Sequence, residues 1–340
     1  MLNLSLQPWP GRNVGWMPAP YRYYGAHTGR FSGDHGYNFA NLRRGSPIRD
    51  AIWAPPGYRV VHRDSSQIEC RVLAWLAGEQ DLLDAFRQGR DVYSEFASKF
   101  YDRRITKQDA LERFVGKTSV LGLGYGCGHV KFRHVLYVGN GGVSVALDEA
   151  KARTLVELYR ETYKAVPMLW RRADRVLKRM IDRGPTGDHK YTFPCLEVED
   201  EALRLPNGMW LRYPGIRNQI VETTEAGEKS EIVYDSPRRN GDTNTKRIYG
   251  CKLVENVSQA LARIIITDVM LRVRAETGFR PFMSTYDSHD YCVPESEVEN
   301  FDRTLEAEFT VTPSWMPGLP LASEGGWGNT LLEAERGVNQ

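Results

Sequence analysis

Residues 57–78 read GYRVVHRDSSQIECRVLAWLAG, and the change of pattern inside this stretch decides how the rest of the chain is read. Its first part, GYRVVHRD, is rich in β-branched residues and ends in an acid, Asp64. From Ser66 onward apolar residues recur three and four positions apart, the spacing of a helix. An acid at a strand-to-helix junction projects off a sheet edge toward solvent or a ligand. A helix-capping aspartate leaves the same local trace, so the string alone leaves both readings open.

Upstream, the first 56 residues are rich in Gly, Pro, Tyr and Arg with little periodicity, which predicts extended segments and turns. Downstream, successive helices are predicted over 66–100 and again over 106–136, apart from a glycine cluster. Two amphipathic helices over 147–183 carry Arg171, Arg172, Arg175, Lys178 and Arg179, a group that reads as a solvated face or a DNA contact. Residues 189–250 alternate short strand-like runs with turn residues, predicting hairpins and a mobile insertion near SPRRNGDTNTK (236–246). A long helix over 252–275 then leads to FMSTYDSHDYCVP (282–294), two strands whose tight connection is predicted to bear Asp287, His289 and Asp290. A helix over 296–309 and a Pro/Gly-rich tail complete the chain.

Composition sets limits on this reading. The 340 residues are 41% hydrophobic, enough for a sizeable core, and 26% charged with a formal net charge of +2. No global basic field exists, so any nucleic-acid surface has to be a local grouping of Lys and Arg. The five cysteines lack the paired CxxC spacing of a zinc or redox motif and read as reduced core thiols. The first residues show no secretory leader, and no apolar run approaches the roughly 18 residues of a membrane span. A cytoplasmic, membrane-free protein is the expectation, in the host cytoplasm if a phage encodes it.

Arg113, Lys117, Leu121 and Tyr125 are spaced by four and line one slowly drifting helical stripe. A surface face with core beneath it would look like this. An anionic ligand accounts for more of it, because cations one turn apart address successive phosphates while an aromatic beyond them offers a flat surface to a base. The run GLGYGCG follows, with glycines at 122, 124, 126 and 128 that each cost about 1 kcal/mol inside a helix. The helix is therefore predicted to end there, or to let another group approach its backbone closely.

Taken together these strings resemble the family A DNA polymerases, the bacterial DNA polymerase I class and its phage relatives. RDSSQIECRVLAWLAG resembles the family's DxSQIELR motif A, and GAHTGRFSG (25–33) its TGR segment. NFANLRRGSPIRDAIWAPPGY (38–58) resembles the approach to motif A, and Arg113, Lys117, Tyr125 and Gly126 fit RxxxKxxxxxxxYG, its motif B. LPNGMWLRYP, VENVSQALAR, SHD and PSWMPGLPLASE follow in the order of phage members. The resemblance implies an α+β fold: an antiparallel palm sheet backed by helices, with a largely helical fingers subdomain between motifs A and C. On that basis 1–56 is a palm-entry segment with the TGR motif, 57–100 carries the motif A strand and helices, 101–188 is fingers with the motif B helix, and 189–340 returns to palm hairpins, long helix, motif C and C-terminal segment.

It also implies a chemistry: DNA-templated transfer of nucleotides from dNTPs to a primer 3′-hydroxyl, in replication of phage type. Two Mg²⁺ ions, for which Mn²⁺ can substitute, lie about 3.5–4 Å apart in such sites. By resemblance they fall to the carboxylates of Asp64 and Asp290 and the main-chain carbonyl of Ser65. Arg113 and Lys117 would grip the triphosphate, Lys117 also donating a proton to departing pyrophosphate, with Gln67 among the nucleotide contacts. Tyr125 would sit beside the templating pair, and Glu69 would block a ribose 2′-hydroxyl. That Glu separates the chain from single-subunit phage-type RNA polymerases, which share RxxxK…YG but not SQIE. Thr28, Arg30, Gln259 and His289 would contact the primer-template, chiefly through minor-groove acceptors.

Departures from the family pattern matter as well. Leu121 stands where many members have an aromatic, and Ala40 and Tyr93 replace a usual Gln and His. Tyr291 stands where Glu is typical, and Tyr is no substitute for a hard magnesium ligand. Asp287 is a candidate replacement, although three residues from Asp290 it would point to the opposite face of a regular strand. Only 27 residues precede Thr28, leaving no room for the family's thumb or 3′→5′ exonuclease. A separate polypeptide supplying them is one expectation, and a truncated chain the other. The alternative function is a catalytically inactive, polymerase-derived DNA-binding subunit of a split replicase.

Overall fold

The computed structural model describes residues 7–8, 15–16, 19–36, 38–42, 45–139, 142–183, 192–224, 227–237 and 241–337. The elements that position the site are, along the chain, β1 (Tyr58–Ser65), α1 (Ile68–Ala77), α2 (Val92–Tyr101), α3 (Ala110–Gly122), α4 (Gly250–Thr277), β2 (Met283–Ser284), β3 (Ser288–Pro294), α5 (Val298–Thr310), β4 (Ser323–Gly328) and α6 (Leu331–Arg336). They condense into two compact units, both discontinuous in sequence. One comprises Met1–Ser65, Ile266–Phe309 and Ser323–Gln340, the other Ser66–Ile265 and Thr310–Ala322.

The first unit is built on a four-stranded sheet in the order β2-β3-β1-β4, antiparallel at every pairing. Strand β1 is central, with both edges occupied, which accounts for the burial of His62, Arg63 and Ser65 along with Val60 and Val61. Its alternate residues divide between two cores. Val61 joins Ile266, Val269, Tyr291, Val293, Phe301, Leu305 and Phe309 on the face covered by α5 and the end of α4. Val60 joins Phe39, Ala54, Met283, Leu331 and Ala334 on the face covered by α6. Beside Val61, the buried Arg63 makes a two-pronged bond to Asp302 on α5, Nε to Oδ1 at 2.9 Å and Nη2 to Oδ2 at 2.7 Å. Gly325 explains how β4 lies so close to β1: its φ is +136°, and a Cβ there would come within 2.2 Å of the His62 carbonyl oxygen.

The hairpin differs from the sequence expectation in phase. Its turn holds Thr285–Asp287, while His289 and Asp290 lie inside β3, opposite Ser284 and Met283 of β2.

The second unit is largely helical around one core that includes Leu73, Phe96, Val120, Tyr159, Trp170 and Leu253. The two helices predicted over 147–183 run Glu149–Thr162 and Ala165–Asp182, and Arg179 of the basic group is tied to Asp200. Two three-stranded antiparallel sheets occupy the predicted hairpin region. Of the insertion expected to be mobile near 236–246, residues 238–240 lie outside the described residues. The architecture is α+β, antiparallel sheets backed by helices, as the sequence predicts. Among the described residues no helix is long and apolar enough to cross a membrane, and the five cysteines are free thiols.

Candidate active site

The register of the first unit's sheet sorts its polar residues into rows. Ser288 of β3, Asp64 of β1 and Glu324 of β4 are paired across the sheet in one row. Asp290, His62 and Gly326 form the next row, and Cys292, Val60 and Gly328 the one after. Paired residues share a face, so Asp64 and Asp290 project to the same side as diagonal neighbours, roughly 7–8 Å apart. Along this face the sheet passes from dry to open: Val60 is 1% exposed and His62 3%, while Asp64 is half-buried and Glu324 exposed.

Asp290 therefore sits one row deeper than Asp64. It is 1% exposed, and its Oδ1 is 2.6 Å from His62 Nδ1. Its Oδ2 is buried with no hydrogen-bond partner. Tyr21 closes the same place: burial, and then the charge of Asp290, push the Tyr21 hydroxyl's pKa far above its usual value and keep it neutral. A carboxylate that bridges two ions presents an oxygen to each of them. His62 and Tyr21 enclose Asp290, the residue to which the HDE resemblance gave this role. Asp287, half-buried in the hairpin turn, is the accessible alternative. Its carbonyl accepts from the Ser65 main-chain N–H at 2.7 Å, which fastens the turn to the end of β1 beside Asp64. Because Asp287 lies before the first ladder pair, the pleat does not force its side chain away from Asp64.

The donor chemistry at this end of the sheet suits a hard divalent cation. Two carboxylates and a main-chain carbonyl, from Asp64, Asp287 and Ser65, are all oxygen, and Mg²⁺ commonly takes one or two carboxylates and completes its shell with substrate phosphates and water. Among the described residues no group of three or more His, Cys, Asp or Glu forms a cage of its own.

Two further residues named for DNA contact are enclosed in this unit. His289 points to the opposite face, is 1% exposed, and has Nε2 2.8 Å from the Ile266 carbonyl and its ring against Tyr291 and Phe309, so it offers DNA no edge. Thr28 is 5% exposed and equally closed to a groove. Arg30 is more open and lies over the Tyr286 ring at 5.1 Å, next to the Asp287 turn.

In the second unit, the turn into α1 is pinned by one side chain. Gln67 holds a left-handed φ of +51°, a conformation non-glycine residues adopt at some cost. Arg71 secures it, donating from Nε to the Ser66 carbonyl at 2.7 Å, from Nη1 to the Pro320 carbonyl at 3.1 Å and from Nη2 to Gln67 Oε1 at 3.3 Å. Glu69 follows in the first turn of the helix, where its main-chain carbonyl accepts from the Tyr125 hydroxyl at 3.3 Å.

Helix α3 ends at Gly122, and a single 3₁₀ turn carries the chain through Leu123–Tyr125. Both readings of the glycine run hold. A Cβ on Gly124 would meet Leu73 Cδ2 at 2.4 Å; Gly126 has a φ of +76°, and a Cβ there would meet Cys251 Sγ at 2.5 Å. Tyr125 thus leaves the helical stripe that sequence spacing gave it, whereas Lys117 and Leu121 stay on the exposed face of α3. Arg113, half-buried, is held by Asp91, a residue 22 positions earlier that the sequence reading did not single out. Gln259 lies on α4, its Nε2 donating to Glu255 Oε1 at 3.4 Å.

The sequence profile of DNA polymerase family A matches residues 15–186. The DNA polymerase of Bacillus phage SP02 is 30% identical over 283 residues, covering 82% of this chain and 42% of its own length. The thermostable DNA polymerase I of Thermus filiformis is 30% identical over 292 residues, covering 86% of this chain and 29% of its own length. The chain thus spans less than half of either relative. Among solved structures, the POL domain of Pol1 from M. smegmatis, in complex with DNA primer-template and dNTP, superposes with a TM-score of 0.58 at 20% identity, over 94% of this chain and 49% of that one. At that identity the likeness is one of fold.

Proposed function

Since the chain belongs to DNA polymerase family A, we propose that it is a DNA-templated DNA polymerase core that adds dNTPs to a primer 3′-hydroxyl. The observation that carries the reading is the meeting of Asp64, Ser65 and Asp287 at the accessible end of one sheet. Asp64 and Asp287 would hold two divalent ions with the Ser65 carbonyl. When bound, such ions lower the pKa of the attacking hydroxyl and neutralise the triphosphate.

The remaining roles fall to side chains that the fold leaves accessible. Arg113 and Lys117, one turn apart on α3, bind the polyphosphate, and the exposed Lys117 amine holds the proton that departing pyrophosphate takes. Tyr125, tied to the Glu69 main chain, and Leu121 border the nascent pair. The Glu69 side chain excludes a 2′-hydroxyl, and Gln67 contacts the nucleotide. Arg30 and Gln259 meet the primer-template. The first unit serves as palm and the second carries the fingers.

Primer extension on a primed DNA template with Mg²⁺ tests this, using the chain, its Asp64→Ala variant, and the chain with any co-purifying polypeptide. Extension by the wild type that vanishes in the variant is the expected result. A need for the second polypeptide would assign it the thumb function. No extension under any condition, with DNA binding retained, replaces the proposal with a non-catalytic DNA-binding subunit.

A further inference from the structure

Arg113 does not stand alone on its helix. Asp91, the N-cap of α2, receives its Nε at 2.7 Å on Oδ2 and its Nη2 at 3.3 Å on Oδ1. The same carboxylate accepts from the main-chain N–H groups of Tyr93 and Ser94 at 3.2 and 3.4 Å, and from the Ser94 hydroxyl at 2.8 Å. Fixed by the helix start on one side, it cannot follow the guanidinium; the guanidinium must come to it. Burial raises the Asp91 pKa, but the hydrogen bonds from Arg113 and Ser94 outweigh that and hold it below the usual carboxylate range. The face of the guanidinium is covered as well, its carbon 5.3 Å from the centre of the buried Tyr93 ring, within cation–π range.

This close approach of α2 and α3 depends on Gly116, one turn beyond Arg113. A Cβ on Gly116 would lie 2.1 Å from the Tyr93 carbonyl oxygen. Glycine inside a helix costs about 1 kcal/mol, and here it brings Arg113 within reach of Asp91 and Tyr93.

A guanidinium has five donors in a rigid fork. Asp91 occupies the Nε–Nη2 edge, and Nη1 has no hydrogen-bond acceptor among the described residues. Pairing with Asp91 and contact with a second anion are therefore compatible. We propose that Asp91 and Tyr93 are positioning residues that seat Arg113 with its Nη1 edge presented to the terminal phosphates of a nucleoside triphosphate. The inference rests on the polymerase reading for its ligand, and on the geometry of α2 and α3 for its residues. An arginine held in this way binds with less loss of side-chain freedom than a mobile one.

The test measures Mg²⁺–dATP binding to the full chain by equilibrium dialysis, together with KM for dATP and kcat in primer extension. Asn caps a helix as well as Asp, so Asp91→Asn keeps α2 while removing the charged fork. It is expected to weaken dATP about tenfold, or roughly 1.4 kcal/mol, in both Kd and KM, with kcat changed less than about threefold. Tyr93→Leu, which alters no charge, is expected to do the same, and Tyr93→Phe to restore wild-type affinity. Unchanged affinity in Asp91→Asn overturns the seat, and tighter binding overturns it in favour of a carboxylate that competes with phosphate. Unchanged affinity in Tyr93→Leu removes Tyr93 from it. Should Tyr93→Leu fail to fold, Asp91→Asn decides alone. A wild type that binds dATP but extends no primer defeats the polymerase reading and still reports on the seat, whereas one that binds no dATP defeats both.

Discussion

Asp290 faces His62 across the ladder between β1 and β3, with Oδ1 2.6 Å from Nδ1 and 1% of the residue meeting solvent. Asp287, three residues earlier, is half-buried in the turn that joins Ser65. The two acids are thereby given separable tasks. Asp287→Asn is expected to lower single-turnover nucleotide incorporation by about 10²–10³-fold or more, as when a preorganised electrostatic contact to the reacting groups is lost, with the melting temperature little changed. Asp290→Asn is expected to keep most of the activity and to cost about 1–3 kcal/mol of stability, because it disturbs the buried contact between Oδ1 and His62 Nδ1. The opposite ordering in paired kinetic and thermal-unfolding measurements would return the second metal carboxylate to Asp290.

Arg63 and Asp64 are neighbours that the pleat sends to opposite faces, one to an anchor and one to the site. The Arg63–Asp302 fork has side chains only 3% and 10% exposed, so removing one partner strands the other in the core. Arg63→Ala or Asp302→Ala is expected to destabilise the protein by about 3–5 kcal/mol, while the double replacement Arg63→Met with Asp302→Leu recovers most of it. Urea unfolding of the three variants is the measurement. Single losses under about 1 kcal/mol, the range of a surface pair, would show that the fork contributes little to anchoring β1.

The fate of these residues shows what the chain discloses before it folds. The β1 strand and α1 were legible because the β-branched pair before His62 gives way after Ser66 to apolar residues at helical spacing. The end of α3 was legible because four glycines at alternate positions are costly in a helix. The phase of the hairpin was not. FMSTYDSHDYCVP offers two acids three residues apart, and only pairing of Ser284 with His289 puts the turn at 285–287 and sends Asp290 inward. His62 and Asp302 likewise gave no signal, since their partners lie 228 and 239 residues away along the chain. Asp91 carried a misleading signal: an aspartate before a helix is fully explained as a cap, which hides its second use in holding Arg113.

Glu69 gives the sharpest test of sugar choice. Its main chain is fastened by the Tyr125 hydroxyl, and it starts a helix whose entry turn Arg71 pins at Ser66 and Gln67. Its carboxylate is thus carried on a rigid element that the substitution leaves intact. Glu69→Ala removes the side chain that would meet a 2′-hydroxyl but not the carbonyl that Tyr125 uses. Its expected effect is a rise in ribonucleotide over deoxynucleotide incorporation of about 10- to 200-fold, the discrimination a single packing contact supplies, with kcat/KM for dNTPs falling far less. Competitive single-nucleotide insertion with matched rATP and dATP reads this ratio. A ratio unchanged from wild type, with dNTP insertion intact, would place the sugar gate on another residue. A parallel loss with both nucleotides would mean that Glu69 supports the fold of the turn and has no part in selecting the sugar.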